Sequence, residues 1–77
     1  MNHRIDYLIA IEQTIKALID ASASLVGDSQ YDEGVRMGYF QAVSIMLNEL
    51  ETMGISRNEI NLEGFKPESM LSHKQAA

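Results

Sequence analysis

Two long segments with the periodicity of an α-helix, separated by one turn signal, occupy most of this 77-residue chain. In the first segment, apolar residues recur three and four positions apart, which places them on one side of a helix over about residues 3–24. In the turn signal, residues 26–29, Gly27 suits the left-handed position that ends a helix, and Asp28 or Ser29 suits the cap of the next one. Because a chain of this length holds one core, the pattern predicts an all-α fold built on an antiparallel helical hairpin.

The second helix is predicted over about residues 30–53, and Gly54 followed by Ile55 predicts a Schellman stop. One apolar face of roughly 100° is enough for a helix in a hairpin. At about 100° per residue, the apolar and small side chains of this helix instead cover well over half of its circumference. The excess must therefore be buried against something other than the first helix. The residues in this wide arc are Val35, Gly38, Tyr39, Phe40, Ala42, Val43, Ile45, Met46, Leu47, Leu50 and Met53.

Self-association of two hairpins into a four-helix bundle is the simplest way to cover the wide arc, so we expect a homo-oligomer, either a dimer or a tetramer. Arg36 lies at one margin of the arc beside aromatic residues, which is typical of an interface. An ion pair with Asp32 or Glu33 on the same helix is the alternative for Arg36. Glu49 lies at the opposite margin of the arc, either partly buried at an interface or extended to solvent. The predicted interface residues are Val35, Arg36, Gly38, Tyr39, Phe40, Ala42, Val43, Met46, Leu47 and Leu50.

Small residues four positions apart form a ridge on the second helix, at Gly34, Gly38 and Ala42. Each interior glycine costs roughly 1 kcal/mol relative to alanine, so we expect a close contact to offset it. Two contacts are possible. The ridge either nests against the small residues of the first helix within one hairpin, or forms a crossing point between two protomers. The small residues of the first helix are Ala10, Thr14, Ala17 and Ala21.

The last third of the chain contains two further helix signals. Ser56 and Glu59 match a capping box, which predicts a short third helix that continues through Leu62 and ends at Gly64. Pro67 suits the first position of one more helical turn. We therefore assign residues 1–66 to a single helical-hairpin domain and residues 67–77 to a short helical turn with a frayed C-terminal tail. Whether residues 56–65 pack within the chain or onto a neighbouring protomer stays open at this stage.

Composition narrows the possible chemistry. With 6 Lys+Arg against 11 Asp+Glu, the chain carries a formal charge of -5, which argues against nucleic-acid binding through phosphates and against anionic membranes. The chain has no cysteine. His3 and His73 stand near opposite ends without a second ligand at metal spacing. Asp28 to Gly34 resembles a calcium loop only faintly, because the glycine comes one position late. We expect no catalytic, cofactor-binding or metal-binding residues, and no enzyme.

The expected function is therefore that of a small acidic protein without catalytic activity, a regulator, adaptor or inhibitor that binds another protein and self-associates through its second helix. The alternative is a helical bundle that holds a small apolar ligand between protomers. Acidic mimicry of nucleic acid is disfavoured because basic residues are interleaved with the acids. The longest charge-free run, Met37 to Asn48, is shorter than the roughly 18 residues of a membrane span, and acidic residues interrupt the N-terminal apolar run. We accordingly expect a cytoplasmic protein without membrane association.

Overall fold

The computed structural model describes residues 3–71, and over that range the fold is all-helical. Helix α1 spans His3–Ala23 and helix α2 spans Gln30–Thr52. Two short 3₁₀ helices follow, η1 at Arg57–Ile60 and η2 at Pro67–Leu71. The helical hairpin predicted from the periodicity is confirmed, with each long helix ending within one residue of its expected position.

Two features were predicted for the turn between α1 and α2, a left-handed Gly27 that ends α1 and an N-cap for α2, and only the N-cap is present. Ser29 is the N-cap of α2, and its Oγ accepts a hydrogen bond of 3.1 Å from the backbone N–H of Asp32. Gly27 does not adopt the left-handed conformation predicted for it. A Cβ at Gly27 would instead contact the carboxylate Oδ2 of Asp32, so a larger residue there would displace that side chain. The same Oδ2 accepts a hydrogen bond of 3.0 Å from Ser29 Oγ.

The end of α2 is the Schellman stop that the sequence predicts. Gly54 has a φ of 88°, in the left-handed region. The N–H of Ile55 donates to the carbonyl of Leu50 at 2.8 Å, and the N–H of Gly54 donates to the carbonyl of Glu51 at 3.0 Å. These two hydrogen bonds satisfy carbonyls that the helix end would otherwise leave without a partner.

Residues 56–71, here called the C-terminal segment, fold back over one side of the hairpin. η1 packs against α1, and η2 packs against both α1 and α2. The segment contributes half of the buried hydrophobic core, and Pro67 is buried with it. Residues 67–71 therefore belong to the same packed unit as the hairpin, although the sequence placed a boundary before them. The buried apolar residues are Ile15, Val43 and Leu47 from the hairpin with Ile60, Leu62 and Met70 from the C-terminal segment.

This packing changes what covers the wide apolar arc of α2, which was expected to be buried by a second protomer. Part of the arc is covered by the chain's own C-terminal segment, so residues 56–65 pack within the chain. The third helix is also shorter than predicted. η1 ends at Ile60 because Asn61 takes a left-handed conformation with a φ of 59°, which interrupts helical hydrogen bonding. The capping interaction itself is present, since the N–H of Ser56 donates to Glu59 Oε2 at 3.0 Å.

Candidate interaction face

The residues predicted as an interface on α2 fall into three groups in the structure. Arg36, Val43 and Leu47 are 3%, 0% and 1% exposed, so the chain itself covers them, and their assignment to a protomer interface is corrected. Phe40 is half-buried against the core. It lies on the side of α2 where Ser44 of that helix and Pro67 of the C-terminal segment line one cleft. The remaining six are all half-buried except the exposed Gly38; five of them face the other side, and Leu50 packs against the core. Those six are Val35, Gly38, Tyr39, Ala42, Met46 and Leu50.

Arg36 closes the end of the hairpin. Its Nη2 donates to the carbonyl of Gly27 at 2.6 Å and to the carbonyl of Leu25 at 3.1 Å. Its Nε is buried without a hydrogen-bond partner among the described residues. The guanidinium therefore satisfies carbonyls beyond the end of α1. Neither the interface role nor the pair with Asp32 or Glu33 is seen, and the hydrogen bonds from Arg36 connect the turn to the first third of α2.

The small residues of the two helices do not nest against each other. Gly34 and Gly38 are exposed, and a Cβ at either position would meet no atom within 4 Å. Ala10, Thr14 and Ala17 on α1 are exposed as well. The interpretation that places these residues in a close contact within one hairpin is therefore wrong. The crossing point between two protomers stays a prediction.

The side of the hairpin away from the C-terminal segment, here called the open face, is almost free of charge. Its α1 residues are Tyr7, Ala10, Thr14, Ala17, Leu18, Ala21 and Leu25. Its α2 residues are Tyr31, Val35, Gly38, Tyr39, Ala42, Ile45, Met46 and Glu49, followed by Met53. Glu49, which is exposed, is the single charged residue in this set, although 22% of the whole chain is charged. Depletion of charge is typical of the buried part of protein interfaces.

Large apolar side chains on the open face project into solvent. Tyr7, Tyr31, Ile45 and Met53 are all more than half exposed. Single exposed apolar side chains are ordinary in a small protein, whereas a group on one face marks an interaction surface. Their number and their alignment with the uncharged stripe make the open face the candidate interaction site.

A groove lies at the end of the open face where α1 begins and α2 ends. It has a volume of about 430 Å³ and is lined by Arg4, Tyr7, Leu8, Ile11, Met53 and Ile55. Five of these six residues are apolar or aromatic. Arg4 at the rim also forms an ion pair of 2.6 Å with Glu59 of the C-terminal segment. The groove is therefore an apolar depression with one cationic group at its edge.

Two carboxylates attach the C-terminal segment to α1. Glu12 accepts hydrogen bonds from Lys16 Nζ at 2.6 Å and from Asn61 Nδ2 at 3.1 Å. These two hydrogen bonds, that from Lys16 first, lower the pKa of Glu12 below its ordinary value of 4.5. The hydrogen bond from the backbone of Ser56 and the pair with Arg4 lower the pKa of Glu59 in the same way. Both carboxylates lie where the C-terminal segment contacts α1, Glu12 beside Asn61 and Glu59 beside Arg4.

Within residues 3–71, no group of three or more His, Cys, Asp or Glu side chains has the geometry to hold a metal ion. His3 stacks on Tyr7 with 6.3 Å between the ring centroids, and His73 lies outside the described residues. None of the helices in that range has both the length and the apolar character that crossing a membrane requires. Comparison of the chain with protein-family models, curated proteins and solved structures finds no match.

Proposed function

We propose that this protein is a non-catalytic binding protein, a regulator, adaptor or inhibitor that acts by contact, and that two copies assemble through the open face into a four-helix bundle. One observation carries the proposal. The side of the hairpin left uncovered by the C-terminal segment carries one charged residue, Glu49, in an acidic chain of which 22% of the residues are charged. Such a surface is suited to burial against protein and poorly suited to water.

The size of the open face supports a dimer. Helices of 21 and 23 residues are roughly 32–35 Å long, and two helices packed about 10 Å apart present a width of roughly 20 Å. The face therefore has a projected area of roughly 650 Å², close to the roughly 800 Å² of accessible surface that each partner buries in a standard interface. Two hairpins joined on this face have four helices around a second core, as in a four-helix bundle.

Charge does not oppose this assembly. Each copy carries a formal charge of -5, but the acids other than Glu49 lie outside the open face, and salt screens exposed charges over about 10 Å. Small side chains in the middle of the face let the backbones of the two copies approach closely, which increases the packing contact of a helix crossing. The open face combines α1 and α2, whereas the sequence alone assigned self-association to the second helix.

The proposal is tested by measuring the mass in solution with light scattering over a range of protein concentrations. We expect the wild-type protein to have twice the mass of the chain, and Thr14→Glu to weaken the dimer at least tenfold because it places a charge in the middle of the α1 side of the open face. Gln13→Glu is the matched control, since Gln13 is exposed on α1 but lies outside the face. A monomeric wild-type protein at all concentrations would contradict the proposal.

The groove supports the alternative function, in which the assembly holds a small apolar ligand. A native mass spectrum of the purified protein separates the two functions. A dimer without a bound small molecule supports the proposal, and a small molecule retained in stoichiometric amount identifies the ligand-binding alternative.

A further inference from the structure

Two apolar features lie at opposite ends of the hairpin. At the turn, Val26 is 82% exposed and Tyr31 is 78% exposed. These are the two most exposed large hydrophobic side chains among the described residues. At the other end lies the groove between Tyr7 and Met53. A projecting apolar turn and an apolar depression on one molecule are complementary shapes.

We infer that, in the dimer, the turn of each copy, residues 26–31, occupies the groove of the other copy, so that the two hairpins run antiparallel across the open face. This inference rests on the proposed function and specifies how the two copies are arranged. The groove is therefore assigned to the turn of a second copy of this chain.

The spacing of the two features fits a two-fold axis. Tyr31 and Met53 lie 22 positions apart, which corresponds to roughly 33 Å along α2, and at about 100° per residue they point to the same side of the helix. A two-fold axis through the middle of the open face exchanges the two ends of the hairpin, so the contact between turn and groove forms twice. The groove volume of about 430 Å³ lies within the range of cavities that enclose drug-sized molecules, and therefore has room for an aliphatic and an aromatic side chain.

Repulsion between the two acidic turns disfavours the parallel arrangement. The turn is acidic, with Asp28 exposed and Asp32 and Glu33 immediately after it. A parallel dimer would place these acids beside the same acids of the second copy, which is unfavourable. The antiparallel dimer instead separates the two acidic turns and brings Asp28 toward the groove, where Arg4 is paired with Glu59 and Glu49 lies one helical turn before Met53. Arg4 keeps its exposed ion pair with Glu59 in this arrangement.

The test uses the absence of cysteine from the chain, because an engineered cysteine is then the only one present. Val26→Cys and Met53→Cys are prepared separately, since both side chains are largely exposed and their replacement leaves the core intact. Each variant is oxidised alone and after mixing with the other, and the cross-linked products are identified by mass. We expect the mixture to give the Val26–Met53 product and each variant alone to give little cross-linking.

Strong cross-linking of each variant with itself, without the mixed product, would show a parallel dimer and overturn the inference while leaving the proposed function intact. Monomers by light scattering would show that the proposed function itself fails. In a dimer, Tyr31→Ala is expected to weaken association about tenfold, whereas Ile9→Ala, which removes an exposed apolar side chain outside the open face, leaves association unchanged. Equal effects of these two substitutions would also overturn the inference.

Discussion

Alanine at the two exposed glycines of α2 should stabilise the folded monomer and weaken the dimer at the same time. Gly34 and Gly38 lie inside the helix, and a Cβ at either position would meet nothing within 4 Å. Alanine is therefore free to lower the conformational entropy of the unfolded chain without a clash in the folded monomer. In a dimer with Gly38 of the open face at the crossing point and Gly34 beside it, the added methyl groups would hold the two backbones apart.

The size of each effect follows from the structure. Each exposed glycine-to-alanine change inside a helix is worth about 1 kcal/mol, and for a domain of this size 1 kcal/mol raises the Tm by roughly 4–8 °C. We expect the double variant to be about 2 kcal/mol more stable as a monomer. Loss of the close helix approach should weaken the dimer at least tenfold, or about 1.4 kcal/mol.

The assay combines urea denaturation at a concentration below the dimer dissociation constant with light scattering above it. Gly54→Ala is the matched control, because its φ of 88° lies in the left-handed region, where alanine is strained by roughly 1–2 kcal/mol. The control should lose stability while the double variant gains it. A double variant that dimerises with unchanged affinity would refute the placement of Gly38 at the crossing. A double variant that is less stable as a monomer would refute the exposure of both glycines.

Three further predictions concern the fold itself. Arg36→Met should destabilise the monomer by roughly 2–3 kcal/mol in urea denaturation, because it removes two charge-assisted hydrogen bonds to turn carbonyls; an unchanged midpoint would refute this role. Met70→Ala should cost roughly 2–4 kcal/mol, because Met70 is 7% exposed in the core, whereas a change near zero would show that the C-terminal segment is not docked in solution. For Glu12 and Glu59 the folded pKa is lowered, so their stabilisation is present above the ordinary pKa of 4.5 and is lost as the pH falls through the lowered pKa. Glu12→Gln and Glu59→Gln should therefore flatten the acid side of a stability–pH profile, and profiles parallel to that of the wild type would contradict this reasoning.

Local signals in the sequence predicted the helices well. The bounds of α1 and α2, the cap at Ser29 and the Schellman stop at Gly54 all depend on residues within about five positions of one another. The hydrogen bonds that define these features connect near neighbours along the chain. The capping box at Ser56 was found for the same reason, although the left-handed Asn61 ended η1 earlier than expected.

The candidate site was only partly predictable. The width of the apolar arc on α2 correctly indicated that more than α1 must cover it, but it did not say what. The apolar residues after the capping box, including Ile60 and Met70, were the signal that the C-terminal segment returns to the hairpin. The sequence marked Arg36 as a candidate interface residue at the margin of the arc. Its hydrogen-bond acceptors are the backbone carbonyls of Leu25 and Gly27, and the pattern of side chains in a sequence does not show which backbone carbonyls lie near a given residue.

The amino-acid sequence by itself determined that this chain forms two long helices, where they begin and end, and that they bear too much apolar surface for a hairpin alone. Only the tertiary structure decided which side of that hairpin is covered. That choice depends on contacts between residues far apart in the chain, such as Glu12 with Asn61 and Arg4 with Glu59, which dock the C-terminal segment on one side. The open face, with Glu49 as its one charged residue, is the side that the described part of the C-terminal segment leaves uncovered.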